Sequence, residues 1–232
     1  MNRLTRIKGV VRGNLAALRV TFIVFLLIHL VDVVIDFSLL FAGLLDQGWE
    51  VSGTNIFTIF LIVMAIMVPK YFFKRIVALG ASRKEYYIGS VISYGIAIAF
   101  FAVLNILWFF LEKNFLNQYR INYNVIQILG WDRYGIVGMF FYQFAGYTLL
   151  ISVIHLIASS VKQWLGNILI LLIIVASALV MAVTPLKNTA MACLETLIMN
   201  PNIFVGCILT LLVSSLIFVF GWYFAKRNEI YY

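Results

Sequence analysis

The sequence predicts an all-α integral membrane protein with six transmembrane helices and both termini on the cytoplasmic side (N-in, C-in). Three observations carry that prediction. The 232 residues are 64% hydrophobic and 11% charged, with a mean hydropathy of +1.03, too apolar for a soluble core of this size. Six apolar stretches, at about 20–43, 54–73, 87–111, 134–160, 166–183 and 203–225, approach the roughly 20 residues that a hydrocarbon layer demands of a helix. Thirteen of the seventeen basic residues fall on one side of those stretches: Arg3, Arg6, Lys8, Arg12, Arg19, Lys70, Lys74, Arg75, Arg83, Lys84, Lys162, Lys226 and Arg227. Only Lys113, Arg120, Arg133 and Lys187 fall on the other. The positive-inside tendency then makes the first side cytoplasmic. Lipid cannot satisfy backbone N–H and C=O groups, so the spans are helices rather than open strands.

The acidic residues lean the other way, with Asp46, Glu50, Glu112, Asp132 and Glu195 assigned to the outer side. The formal charge of +8 is therefore a topology signal and an attraction to anionic lipid, not a nucleic-acid footprint. Trp49, Trp108 and Trp131 fall at the outer boundary and Trp164, Trp222 and Tyr223 at the inner one, where amphipathic rings favour headgroups. Cys193 and Cys207 form neither a disulfide framework nor a metal-ligand spacing. The first span is too long, and too far from the start of the chain, for a cleaved signal peptide.

Residues 1–19 come first in the chain as a separate element, ahead of the membrane domain at 20–232. Leu4, Ile7, Val11, Leu15 and Leu18 recur at helical steps while Arg3, Arg6, Lys8 and Arg12 point elsewhere. That is an amphipathic helix suited to the inner headgroup layer, serving as a topology anchor or as a partner site. Within the first span, His29, Asp32 and Asp36 sit at i, i+3 and i+7 on one face. A charge in the bilayer costs about 2.5–3.5 kcal/mol on insertion scales, so the stripe is expected to face protein or water. It lines a pathway or a subunit interface, or it is a packed hydrogen-bonded group.

The second–third connection carries the sharpest local signal. Pro69 lacks an N–H and is expected to kink the second span. Gly80 is placed as a helix C-cap in the left-handed region, and Ser82 with Glu85 three residues later reads as a capping box opening the third helix. Helix, sharp turn and helix follow, carrying Lys70, Lys74, Arg75, Arg83 and Lys84. Asn105, Gln143, Asn167 and His155 are read as cross-helix bonds, about 0.6 kcal/mol each on average, with His155 also a functional candidate. The pairs Gly95–Ala99 and Gly135–Gly138 are read as sites of close helix approach.

The run Ala78-Leu79-Gly80-Ala81-Ser82-Arg83-Lys84-Glu85-Tyr86-Tyr87-Ile88-Gly89, placed between the second and third of six spans, resembles the cytoplasmic loop of bacterial type-2 ATP-binding-cassette (ABC) exporter permeases. The resemblance extends over the whole topology, including the basic amphipathic N-terminus. It implies that this loop is a cytoplasmic coupling helix docking on a separate ATPase, with Arg75, Leu79, Gly80, Ala81, Ser82, Arg83, Lys84 and Glu85 as contact or hinge residues. It implies a second, smaller contact around Lys162 and Trp164, and short re-entrant or interfacial helices within 185–202.

On this reading the chain is a permease subunit in the bacterial cytoplasmic (plasma) membrane, paired with a second identical or paralogous permease subunit. Cytosolic ABC ATPase subunits would carry the ATP and Mg, this chain binding neither. The implied cargo is amphipathic or hydrophobic, a peptide first and a lipid or drug second. No G-x-x-x-x-G-K-[ST] loop and no H-E-x-x-H are present, so no catalysis is expected from this chain alone. The main alternative is a proton-coupled secondary transporter working through His29, Asp32 and Asp36, and a second is an intramembrane enzyme using His155 or Asp32.

Overall fold

The structure, a computed structural model, describes residues 3–44, 49–116, 121–161 and 163–227. Asp46, Arg120 and Lys162 lie outside the described residues, as do the side chains of Trp49 and Glu50. In chain order the elements are α1 (Arg3–Ala17), α2 (Arg19–Phe41), β1 (Trp49–Val51), α3 (Ile56–Met67), α4 (Phe73–Ala78), α5 (Arg83–Leu111), β2 (Ile121–Tyr123), α6 (Val125–Ile128), α7 (Gly135–Ser160), α8 (Trp164–Ala182), α9 (Thr184–Ile198) and α10 (Ile203–Arg227). β1 and β2 pair in parallel, Trp49 opposite Ile121 and Val51 opposite Tyr123, and tie two connections together.

Among the described residues, six helical runs are long and apolar enough to cross a membrane: Arg19–Phe41, Gly53–Ala78, Arg83–Phe115, Trp131–Ser160, Trp164–Ala182 and Ile203–Arg227. The second runs to Ala78, past the 73 expected from the sequence, because the helix continues beyond the disturbance at Pro69. The chain widens into a π turn over Val68–Phe72, which makes room for the proline ring, and continues as α4. The Val68 carbonyl accepts from the Tyr86 hydroxyl at 2.6 Å, which clamps the turn to the foot of α5.

The core is built on α3, α5 and α7. Phe57, Phe60, Leu61 and Met64 of α3 meet Tyr94, Ile98 and Phe101 of α5 and Tyr147 and Ile151 of α7. A second cluster gathers Ile106, Phe109, Ile126, Trp131, Met139, Tyr142 and Cys207. In a bilayer, apolar burial alone does not drive helices together, so close approach and polar bonds decide the packing. α10 shows both. Its buried Gly206, Thr210, Ser214 and Gly221 form a small-residue face against α7. The Thr210 hydroxyl also donates to the Leu197 carbonyl at 2.7 Å. At Gly95 no described residue lies within 4 Å of where a Cβ would stand; the tight glycine of α5 is Gly89, beneath Val10.

Contacts sort the connections into two groups. At the basic end, Arg6 of α1 faces Glu85, Arg83 donates to the Lys226 carbonyl, and Gln163 donates to the Phe224 carbonyl at 2.8 Å. At the opposite end, Asn124 meets Ser52, while Trp131 and Tyr134 donate to the Ile198 and Asn200 carbonyls at 2.6 and 2.9 Å. α9, the helix within the last connection, has no buried residue among those described.

Candidate functional site

The turn at the basic end is built as local chemistry requires. α4 stops at Ala78 and Gly80 takes φ +93, a region where a Cβ costs roughly 1–2 kcal/mol. The capping box is present on both sides: Glu85 N–H donates to Ser82 Oγ at 3.2 Å, and Ser82 N–H to Glu85 Oε2 at 2.9 Å. Arg75, Gly80, Ser82 and Lys84 are exposed, and Leu79 is 81% exposed at the tip. Ala81 and Arg83 are half-buried. Glu85 is buried and points inward, so it positions the turn and is not part of its outer surface. Its partner Arg6 stands 3.9 Å away and is itself well exposed, a pair that contributes at most about 1 kcal/mol.

α1 braces this turn from beneath. Val10 lies over Gly89, and Asn14 Nδ2 reaches Ser90 and Ser93 Oγ at 3.4 Å each. Both serine hydroxyls donate to backbone carbonyls of their own helix, which leaves their lone pairs for Asn14. The residues that pack on α5 are a different set from the apolar one read in the sequence, with Leu18 common to both. Val10, Asn14 and Leu18 are buried, while Leu4 is 66% exposed and Leu15 also faces outward. Apolar residues occur on several sides of α1, so periodicity could not choose the packed face; the fit of Val10 to a glycine and of Asn14 to two serines does. α1 then runs into α2 across Leu18 alone, without a loop, because Leu18 N–H and Phe22 N–H continue the helical bonds. In the second basic-end connection Trp164 is 72% exposed, and Lys162 lies outside the described residues.

At the opposite end the stripe of α2 faces inward. His29 and Asp36 are buried and Asp32 is half-buried. The His29 ring packs edge to face on Trp108 and Phe57, with centroids 4.8 and 5.1 Å apart. Its Nδ1 has no hydrogen-bond partner among the described residues. The Asp32 carboxylate closes directly over Gly53, where a Cβ would collide with it and crowd His29. Gly53→Val is therefore expected to push α2 off α3 and destabilise the chain by about 1–3 kcal/mol, read as a lower unfolding midpoint in mild detergent. An unchanged midpoint would contradict the close approach.

Beside this stripe lies a polar cluster centred on Asn124. Asn124 Nδ2 sits 2.9 Å from Asn105 Oδ1, 3.2 Å from Thr54 Oγ1 and 3.3 Å from both Ser52 Oγ and Glu112 Oε2. An amide carries two hydrogens, so these acceptors compete for it. Thr54 donates to Asn105 Oδ1 at 2.6 Å, and Asn105 Nδ2 donates to Gln143 Oε1 at 2.9 Å. Glu112 Oε1 accepts from Trp108 Nε1 at 2.7 Å. Trp108 thus carries His29 on its ring and Glu112 on its N–H. Sequence reasoning named Asn105 and Gln143 as cross-helix bonds, as found, but it missed Asn124, Ser52 and Thr54 and gave Glu112 no role beyond the outer side. The available signal was Asn124 as an Asx cap: its Oδ1 accepts from Ile126 N–H at 3.0 Å.

His155 forms a third polar point, in the core. Its Nδ1 pairs with the Tyr94 hydroxyl at 2.8 Å and its Nε2 with Ser159 Oγ at 3.3 Å, linking α5 to α7. Among the described residues, no group of three His, Cys, Asp or Glu side chains could hold a metal ion. No family model, curated protein or solved structure matches this chain.

Proposed function

We propose that this multi-pass chain is the transmembrane permease subunit of an ATP-driven ABC exporter. One observation carries the reading: a rigid basic turn that presents an exposed leucine. Leu79 stands at the tip between Arg75 and Lys84, and no described residue covers it. The Ser82–Glu85 box, the Tyr86–Val68 clamp and α1 hold the turn in place. A preformed tip of this kind suits docking to a cytosolic partner, because little conformational freedom is lost on binding.

In this mechanism the ATPase pushes on the turn, and α3 and α5 carry the displacement to their far ends. Both run into the Asn124 cluster, where one amide faces more acceptors than it can serve. The cluster is then the element that exchanges hydrogen bonds as access alternates, with His29, Asp32 and Asp36 beside the moving boundary. A partner shifts such an equilibrium only through contacts that differ between the two states. The orientation is N-in and C-in, placing the basic end in the cytoplasm, with α1 at the inner interface and a second permease subunit completing the pathway. The cargo is amphipathic or hydrophobic, since fixed charges in the spans are few.

The test is copurification in mild detergent from the native membrane. A near-stoichiometric subunit carrying a phosphate-binding loop is expected with the wild-type chain. Leu79→Asp should abolish that capture while moving the unfolding free energy by no more than about 0.5 kcal/mol, because the Leu79 side chain is largely exposed. A chain that purifies alone and carries out proton-driven transport in vesicles overturns the proposal in favour of a secondary transporter.

A further inference from the structure

The π turn at Pro69 has a second consequence. It leaves a cleft of about 240 Å³ between the basic-end part of the second span and the end of α7. Ile66 and Phe73 form one wall and Ile154 and Ile157 the other, while Lys70 and Lys74 supply its charges. None of the described lining residues is acidic. The walls belong to two membrane-spanning helices, and the lysines follow Ile66 by one and two helical turns, which places the cations where the apolar part of the span ends.

We propose that this cleft is a binding site for an anionic phospholipid, one acyl chain lying in the apolar groove and the phosphate meeting Lys70 and Lys74. The charge pattern selects that occupant. A soluble phosphate would use the lysines and leave the apolar walls without a ligand. A zwitterionic lipid would fill the walls but offer the lysines no net charge, and basic pockets between transmembrane helices suit anionic headgroups. Lys70 is exposed, with its ammonium 5.5 Å from the Tyr71 ring centroid, within reach of a phosphate at the mouth. The bound lipid would touch Pro69 and Ser159, the latter hydrogen-bonded to His155, and so brace the π turn against α7. The site does not depend on the exporter reading, and its test needs no ATPase.

The experiment is native mass spectrometry of the full chain, delipidated in neutral detergent and titrated with phosphatidylglycerol or phosphatidylcholine. The wild-type chain is expected to retain one phosphatidylglycerol with about tenfold preference over phosphatidylcholine. The double variant Lys70→Gln/Lys74→Gln should lose that preference, and Lys70→Gln alone should weaken it while keeping its unfolding midpoint in phosphatidylcholine nanodiscs. Lys187→Gln, at the opposite end, should keep the preference. Equal retention of both lipids by the wild type overturns the proposal, as does an undiminished preference in the double variant. Displacement of phosphatidylglycerol by millimolar inorganic phosphate also overturns it, by showing a site for a soluble anion.

Discussion

Asn124→Leu is expected to lower the unfolding midpoint of the purified chain more than any other single substitution considered for this bundle. The leucine fills the space but cannot donate to Asn105 Oδ1 or Glu112 Oε2, nor accept from Ile126 N–H. Removing one partner while leaving the others buried is the costly case, because each stranded group loses hydration and gains nothing in return. An average membrane hydrogen bond contributes only about 0.6 kcal/mol, but several share this amide and Glu112 is buried. A loss of about 2–4 kcal/mol follows, on the order of 5–10 °C for a chain of this size. Scanning fluorimetry in mild detergent measures it, with Ser177→Ala, whose exposed hydroxyl donates to the Ile173 carbonyl of its own helix, as the control. A shift of less than a degree in Asn124→Leu would mean that the cluster is held together by other groups.

Glu85→Lys should have the largest functional effect. The change removes the acceptor for Ser82 N–H, worth about 1 kcal/mol, and sets a cation beside Arg6. It also puts positive charge in the first turn of α5, where the helix dipole disfavours it by roughly 0.3–1 kcal/mol. The turn loses its rigidity while the six apolar spans are untouched. Under the exporter proposal, membrane insertion stays normal and ATP-driven transport falls at least about tenfold, which corresponds to 1.4 kcal/mol of lost coupling. Glu85→Gln keeps an acceptor for Ser82 and should retain at least half of the activity. Vesicle transport and ATP hydrolysis measured on the same preparations decide the matter: normal coupling in Glu85→Lys would remove the turn from the mechanism.

The features legible in the sequence share a short range. A span is a run of apolar residues, a capping box is two residues three apart, and a positive-φ glycine follows the helix it ends. Each is decided within a few turns of chain, so the six spans, the Ser82–Glu85 box and the conformation of Gly80 could be read without a structure. The inward stripe of His29, Asp32 and Asp36 was legible for the same reason, because the cost of charge in lipid leaves a helix one acceptable face. Pro69 shows the limit of such reading. Its missing N–H announced a disturbance, but only the packing of Tyr86 against Val68 decides that the helix widens there and continues.

The tertiary structure decided what depends on residues far apart in the chain. Asn124 meets Ser52 across 72 positions and Asn105 across 19, and no local pattern ties those residues together. The packed face of α1 depends on Gly89, Ser90 and Ser93, and the cleft beside Lys70 needs the end of α7 as its second wall. The sequence by itself determined which segments are long and apolar enough to enter a membrane and where α5 begins, because hydration and capping act on neighbours. Which polar groups meet inside the bundle was left to packing, because a buried amide or carboxylate takes whichever partners the helices bring within about 3 Å.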